Sequence, residues 1–245
     1  VGSYYHNKPD VDPLPEIRAL RREFHSELVQ ASILKLNIDG GDAQRTAAML
    51  APYADAPGSA GETLLPVDTL FDIVRRADKE DIDIHVHSFG DRGTRLCLDA
   101  FEAAIKANPP RERRNGLAHL IAIDPQDVPR FGKLGVIGQF SAQWSAPDPS
   151  WAINHARLGS ERATRMYVMK SLARQGAVLS FGTDWSAAGY YSTYRPLEAI
   201  QIAVTRRALD KPQGPQMPPF DEAVTLDEAL RASTMGPAYQ VRLDK

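Results

Sequence analysis

The sequence predicts an α/β domain built on a parallel sheet, and three observations lead to this fold class. Short apolar runs rich in Val, Ile and Leu alternate with longer stretches whose apolar residues recur at helical spacing. Alternation at this spacing is typical of βαβ units, whose strands run parallel. Polar residues capable of chemistry end several of the apolar runs, and long irregular stretches follow them, on the side where α/β enzymes place their active sites.

The strands are predicted from the apolar runs, because runs of this length are typical of strands buried on both faces. The five runs are Ile33–Ile38, Ile82–His87, Gly116–His119, Val136–Ser141 and Ala177–Thr183. The third is short and the weakest of the set. Together they predict five parallel strands.

The helices lie between these strands. Pro66–Lys79 and Arg92–Asn108 carry apolar residues on one face, and proline suits the first turn of a helix. Asp124-Pro125 resembles an N-cap followed by a first-turn proline, and Ser160–Gln175 precedes Gly176, a suitable residue to end a helix. Thr225-Leu-Asp-Glu228 is a capping box that opens the last helix.

The remaining long stretches are predicted to be irregular. Asp39–Leu65, Trp144–Gly159 and Ser186–Arg195 each follow a strand, and Lys211–Phe220 is a proline-rich loop before the last helix. His155 lies in the second of these stretches and Trp185 at the edge of the third, and either could line a substrate pocket or lie in a second layer around the site.

Composition and charge exclude several classes of protein. The 245 residues carry a net charge of −2, which gives no indication of a nucleic-acid or anionic-membrane partner. Cys97 is the one cysteine, so no internal disulfide can form, and no apolar run is long enough to span a membrane. The first residues do not resemble a signal peptide, so we expect a cytoplasmic protein, unless a longer precursor carries one upstream.

Four polar residues mark the candidate site. His87, His119 and Asp184 each end a strand, and Lys35 lies inside an apolar run, where a buried ammonium group is costly without a partner. Two imidazoles and a carboxylate at successive strand ends can converge on one divalent cation, and such ligands suit zinc, iron or manganese. A bound cation lowers the pKa of its water, and the aspartate can then pass a proton to a leaving nitrogen.

At these residues the chain resembles the amidohydrolase superfamily, in the branch of amidohydrolase family 3 that includes N-substituted formamide deformylases. The matching segments occur in order along nearly the whole chain. They are 34–40 (LKLNIDG), 51–55 (APYAD), 87–92 (HSFGDR), 118–120 (AHL), 158–162 (LGSER), 181–185 (FGTDW) and 228–234 (EALRAST).

The resemblance implies a partial TIM-type (β/α) barrel made of barrel strands 4 to 8, in one domain covering residues 1–245. It implies that Lys35 lies on strand 4 and becomes carboxylated, and that His87, His119 and Asp184 end strands 5, 6 and 8 as metal ligands. Asp184 would also be the catalytic acid and base. The implied cofactor is a divalent metal, with zinc the first expectation and one or two ions in the complete enzyme.

The departures from the family pattern are also informative. The family carries a His-x-His pair on strand 1, and the one such pair here is His85-Val-His87. The 158 residues after His87 are too few for seven more β/α units, so the pair belongs to strand 5. We therefore expect strands 1 to 3 and a C-terminal β-sandwich segment to be missing. Ala118 replaces the glutamate that family members usually carry before the strand 6 histidine.

Less specific interpretations stay open at each position. Lys35 could be a structural lysine or a Schiff-base lysine of a lyase. His85 is expected to be a buried neighbour of the ligands or a ligand itself, and Asp91 a helix cap or a second-layer residue of the site. His119 could be only hydrogen-bonded, and Asp184 could only cap a loop.

The predicted function is metal-dependent hydrolysis of a carbon–nitrogen bond in a small-molecule amide, formamide or cyclic amide. The alternative is a non-catalytic or regulatory scaffold that keeps the barrel. A partial barrel leaves unpaired backbone groups beside Ile33–Ile38, so we expect self-association, or a further segment covering that edge.

Overall fold

The structure, a computed structural model, describes residues 2–6, 8, 10–27, 29–186 and 193–245. Six strands form one sheet in the order of the chain, and every neighbouring pair is parallel. They are β1 (Gly2–Tyr5), β2 (Ala31–Asn37), β3 (Asp83–Ser88), β4 (Gly116–His119), β5 (Ile137–Phe140) and β6 (Leu179–Phe181). The five predicted strands are confirmed to within two residues at each end.

Helices connect each strand to the next, and further helices follow β6. They are α1 (Leu14–Glu23), α2 (Val67–Lys79), α3 (Asp91–Ala107), α4 (Val128–Leu134), α5 (Pro149–Ala163), α6 (Met169–Arg174), α7 (Pro196–Thr205), α8 (Leu226–Ser233) and α9 (Met235–Gln240). This sequential βα order confirms the partial (β/α) barrel, with one strand more than predicted. None of the helices among the described residues has the length and apolarity needed to cross a bilayer.

The two faces of the sheet differ because successive side chains of a strand point to opposite faces. On one face Leu34, Leu36, Ile84 and Val86 are almost completely buried in the apolar core under the helices. On the other face the alternate positions are polar and only partly covered. They are Lys35, Asn37, His85, His87 and Gln139, and we call this side the polar face.

β1 corrects the expectation of an unpaired edge beside Ile33–Ile38. Tyr4 and Tyr5 pair in parallel with Leu34 and Lys35, so this side of β2 is covered by the chain's own N-terminal segment. The sequence concealed the strand because Gly-Ser-Tyr-Tyr is short and contains no aliphatic run. Self-association stays a prediction. His6, which follows β1, is buried.

The segment between β5 and β6 was predicted wrongly. Residues 144–159 were expected to be irregular, but α5 begins at Pro149, where the Asp148 carboxylate accepts hydrogen bonds from the backbone N–H groups of Ser150 and Trp151. His155 therefore lies on a helix and not in a loop. The predicted single helix over Ser160–Gln175 is interrupted at 164–168.

The starts of two predicted helices have different outcomes in the structure. The helix expected at Asp124 begins at Val128, because Asp124 instead accepts hydrogen bonds from Gln126 and Asp127 in a turn. The capping box is confirmed: the Thr225 hydroxyl accepts from the Glu228 N–H, and the Glu228 carboxylate accepts from the Thr225 N–H.

Candidate functional site

The candidate site lies at the carboxyl ends of β3, β4 and β6. The imidazole rings of His87 and His119 are in edge contact, with centroids 4.6 Å apart. The Nδ1 atom of His119 lies 3.9 Å from Oδ2 of Asp184. Parallel pairing brings the two imidazoles together, because His87 and His119 lie at the carboxyl ends of neighbouring strands, and Asp184 lies three residues beyond the end of β6. Three of the four predicted residues are thus brought together.

The fourth predicted residue, Lys35, lies on the polar face. Its charge interacts electrostatically with Asp184 and with the two histidines. Burial lowers the pKa of Lys35 to about 8, and the nearby Asp184 carboxylate opposes this shift. Burial raises the pKa of Asp184, and the Lys35 charge opposes that shift in turn. The Lys35 ammonium donates a long hydrogen bond of 3.4 Å to the Leu36 carbonyl.

Both imidazoles are in the form that binds a cation. Burial lowers the pKa of His87 to about 4, and it lowers the pKa of His119 well below its ordinary value. In both cases nearby positive charge, including that of Lys35, acts in the same direction. Neutral imidazoles are the metal-ligating species, so these rings need no deprotonation at neutral pH.

The orientation of His87 is set by a backbone carbonyl. Its Nε2 lies 3.3 Å from the carbonyl oxygen of Gly40, and because a carbonyl only accepts, Nε2 carries the proton. The lone pair is then on Nδ1. A ligand histidine typically donates its other N–H to such a partner, which fixes the tautomer and orients the ring.

Backbone conformation also singles out two of these residues. His119 has φ 75° and Asp184 has φ 53°, in the left-handed region that residues other than glycine seldom adopt. Such strain persists where the surrounding structure enforces it and is concentrated at functional sites. Gln143 contributes to that enforcement, because its buried side-chain amide donates a hydrogen bond of 2.5 Å to the carbonyl of Thr183, next to Asp184.

These residues fit a divalent cation as part of a donor set. The Nδ1 atom of His119 is buried and has no hydrogen-bond partner among the described residues, although it faces a carboxylate. Within the same described part of the chain, no three His, Cys, Asp or Glu side chains are grouped closely enough to qualify as a metal site. The arrangement therefore provides two neutral nitrogens and one nearby carboxylate.

The second-layer residues predicted from the sequence have separate positions. His85 faces Gln139 on the polar face, and burial lowers its pKa to about 3. Asp91 is not at the site: its carboxylate accepts from the Leu50 N–H and joins the loop after β2 to α3. Trp185 is 61% exposed and contacts Tyr194, and His155 is in edge contact with Trp151.

Sequence reasoning missed three contributors. The buried Asp39 carboxylate accepts hydrogen bonds from three backbone N–H groups, one of them that of Phe89, and lies 3.8 Å from Nε2 of His87. Burial raises the pKa of Asp39 to about 7. Phe89 stacks on His87, and Trp144 stacks on His119. The position of Phe89, two residues after a candidate ligand, was the available signal.

Comparison with known proteins gives a consistent result. A model of the amidohydrolase family matches residues 6–245. The chain is 29% identical over 220 residues to the protein LONG AFTER FAR-RED 3 of Arabidopsis thaliana, covering 89% of this chain and 36% of that protein. It is 28% identical over 218 residues to the putative amidohydrolase YtcJ of Bacillus subtilis strain 168, covering 89% of this chain and 39% of that protein.

A third relative and one solved structure carry more chemical information. The N-substituted formamide deformylase of Arthrobacter pascens is 27% identical over 172 residues, covering 69% of this chain and 29% of that enzyme. The crystal structure of an uncharacterized metal-dependent hydrolase from Pyrococcus furiosus superposes with a TM-score of 0.75 and 28% identity, covering 94% of this chain and 45% of that one. The chain thus spans less than half the length of each of these relatives.

Proposed function

This chain belongs to the amidohydrolase family, and on that basis we propose that it carries metal-binding and proton-transferring residues of a hydrolase that cleaves carbon–nitrogen bonds other than peptide bonds. The substrate class is a small amide, formamide or cyclic amide. The observation that carries the proposal is the convergence of His87, His119 and Asp184 at the carboxyl edge of the sheet. A deformylase and a metal-dependent hydrolase among the relatives support it.

The proposed cofactor is a divalent cation, with zinc the first choice for nitrogen and carboxylate ligands. His87, His119 and Asp184 would hold it, and Lys35 would join them if its amine is carboxylated. When bound, such a cation supplies a water of lowered pKa and polarises the substrate carbonyl.

The residues of the chain have defined tasks in this proposal. Asp184 takes a proton from water at Oδ2 and returns it to the leaving nitrogen, while water oxygen bonds to the carbonyl carbon and the carbon–nitrogen bond breaks. The products are a carboxylic acid and an amine. The Gly40 carbonyl keeps the His87 tautomer, and Phe89 and Trp144 pack on the two imidazoles and shield them from water.

One observation favours a second candidate, a non-catalytic scaffold of the same family. No three potential ligands among the described residues are grouped as a metal site. In this case the chain binds a cation weakly or not at all and has no hydrolase activity.

Zinc titration of the chelator-treated chain by calorimetry tests the proposal. We expect stoichiometric binding that His119→Ala weakens by at least about 100-fold, because the variant removes a ligand, and removal of even an outer-shell partner costs 10–100-fold. The matched control is His25→Ala, at an exposed histidine remote from the site in the sequence. Equal zinc affinity in wild type and His119→Ala would sink the proposed ligand set.

Hydrolysis is measured separately as formate release from N-alkylformamides by the zinc-loaded chain. Release that is lost in Asp184→Asn, with zinc still bound, supports the enzyme. Weak or undetectable zinc binding together with no turnover of any amide supports the scaffold.

A further inference from the structure

A cavity of about 370 Å³ lies beside the candidate site. It is bounded by segments that follow β2, β3, β4 and β5, the side of the sheet on which His87 and His119 end their strands. Two of its wall residues, Phe89 and Trp144, are the rings that pack on those histidines. The cavity and the site therefore adjoin at these two rings.

The interior of the cavity is suited to an apolar group. Phe89, Ile121, Trp144 and Tyr167 supply aromatic and aliphatic surface, and all but Phe89 are nearly completely buried. An apolar cavity of roughly 150 Å³ is enough to hold benzene, so this volume accommodates a branched alkyl chain or up to about two rings. Ligand pockets of small-molecule enzymes begin at about this size.

The polar groups of the cavity restrict the charge of its occupant. Asp42 is the one charged side chain among the described residues that line it, and it is 4% exposed. Its carboxylate accepts from the side-chain amide of Asn154 at 2.9 Å, an amide that also donates to the Ser150 carbonyl at 3.2 Å. Because the Asn154 amide and backbone N–H groups already donate hydrogen bonds to it, the Asp42 carboxylate does not require a cationic ligand, and its charge repels a carboxylate.

We propose that this cavity binds the non-reacting substituent of the substrate and selects an uncharged apolar chain or aromatic group against an anionic one. The proposal rests on the proposed amide hydrolysis and deepens it. The substrate class is then an amide with one bulky uncharged substituent, held between Phe89, Ile121, Trp144 and Tyr167. For a formamide this substituent is on the nitrogen, since the acyl side carries only hydrogen.

A ladder of N-propyl-, N-butyl- and N-pentylformamide tests the cavity by calorimetric binding to the 245-residue chain, without any need for turnover. We expect affinity to rise about 15-fold from propyl to pentyl, because each buried methylene contributes roughly a factor of four. N-(4-carboxybutyl)formamide, in which a carboxylate replaces the terminal methyl of the pentyl chain, is expected to bind at least about 10-fold more weakly than N-pentylformamide. A flat ladder, in which N-propyl-, N-butyl- and N-pentylformamide bind with equal affinity, would overturn the proposal.

Two variants distinguish binding in this cavity from non-specific hydrophobic binding elsewhere on the protein. Ala43 lines the cavity and is half-buried, so Ala43→Phe fills it and should remove the advantage of pentyl over propyl. Ala60 is also a half-buried loop alanine but is not among the residues that line the cavity, so Ala60→Phe should leave the ladder intact. Asp42→Asn should raise the affinity for the carboxylate ligand by about 10-fold relative to N-pentylformamide.

The outcomes keep the two proposals apart. A steep ladder that Ala43→Phe flattens, without formate release, refutes the hydrolase and supports the cavity. Formate release with a flat ladder supports the hydrolase and refutes the cavity. An equal loss of affinity in Ala43→Phe and Ala60→Phe also refutes it.

Discussion

Replacing Arg206 with methionine removes a cation that holds together the wall of this cavity. Arg206 is 0% exposed, and its guanidinium donates to four backbone carbonyls. The acceptors are Met166 (3.1 Å), Tyr167 (3.2 Å), Met217 (3.0 Å) and Pro218 (3.0 Å). The side chain thereby joins the segment between α5 and α6 to the loop after α7.

The expected change in the free energy of unfolding follows from these four hydrogen bonds and from the cost of burying the guanidinium charge. A hydrogen bond to a charged group contributes about 1.5–3 kcal/mol, so four contribute roughly 6–12 kcal/mol. Desolvation of the guanidinium offsets this by several kcal/mol. We expect Arg206→Met to lower the free energy of unfolding by about 4 kcal/mol, a value in the range found when one partner of a buried charge is removed.

Urea unfolding followed by circular dichroism measures this difference, and a thermal scan should show a drop in Tm of about 8–16 °C. Arg207→Met is the matched control, because the neighbouring side chain is only half-buried and donates to a single carbonyl, that of Gly214. We expect it to cost less than about 1 kcal/mol. A loss below 1 kcal/mol in Arg206→Met, or equal losses in both variants, would refute the reasoning.

Two further predictions concern residues near the site. Burial raises the pKa of Asp42 to about 6, so its contribution to stability is fully present below the unfolded pKa near 4 and is lost as pH rises through 6. Wild type should therefore lose up to about 3 kcal/mol relative to Asp42→Asn between pH 4 and pH 8 in urea titrations, and parallel pH profiles would contradict this. Gln143→Leu removes the donor that holds the Thr183 carbonyl, and we expect kcat of the zinc-loaded chain to fall about tenfold through misplacement of Asp184. KM should be unchanged, and an unaltered kcat would show that Gln143 does not position this carboxylate.

The parallel sheet was predictable because most of β2 to β6 are short apolar runs, typical of buried strands, that alternate with helical patterns. The three residues that converge were predictable for the same reason, since each ends such a run. β1 was not predictable from Gly-Ser-Tyr-Tyr, because its pairing with β2 comes from the tertiary structure and not from local preference.

The interruption between α5 and α6 shows the same limit. The apolar spacing over Ser160–Gln175 continues through it, but Tyr167 adopts φ 55°, and its N–H donates to the Ile121 carbonyl. The Arg206 guanidinium donates hydrogen bonds to the carbonyls of Met166 and Tyr167. Partners so distant along the chain override a helical pattern, and the cavity that these residues enclose could not be derived from spacing alone.

The sequential order of the strands has a consequence for how the site is assembled. Because β3, β4 and the segment after β6 each contribute one candidate donor, these three donors are modular, and a change in one β/α unit affects one of them. A family built in this way can lose one donor to mutation while the others keep their places, so catalytic and non-catalytic members can share one scaffold. Metal affinity should accordingly change in discrete steps, one for each donor, as His87, His119 and Asp184 are replaced in turn.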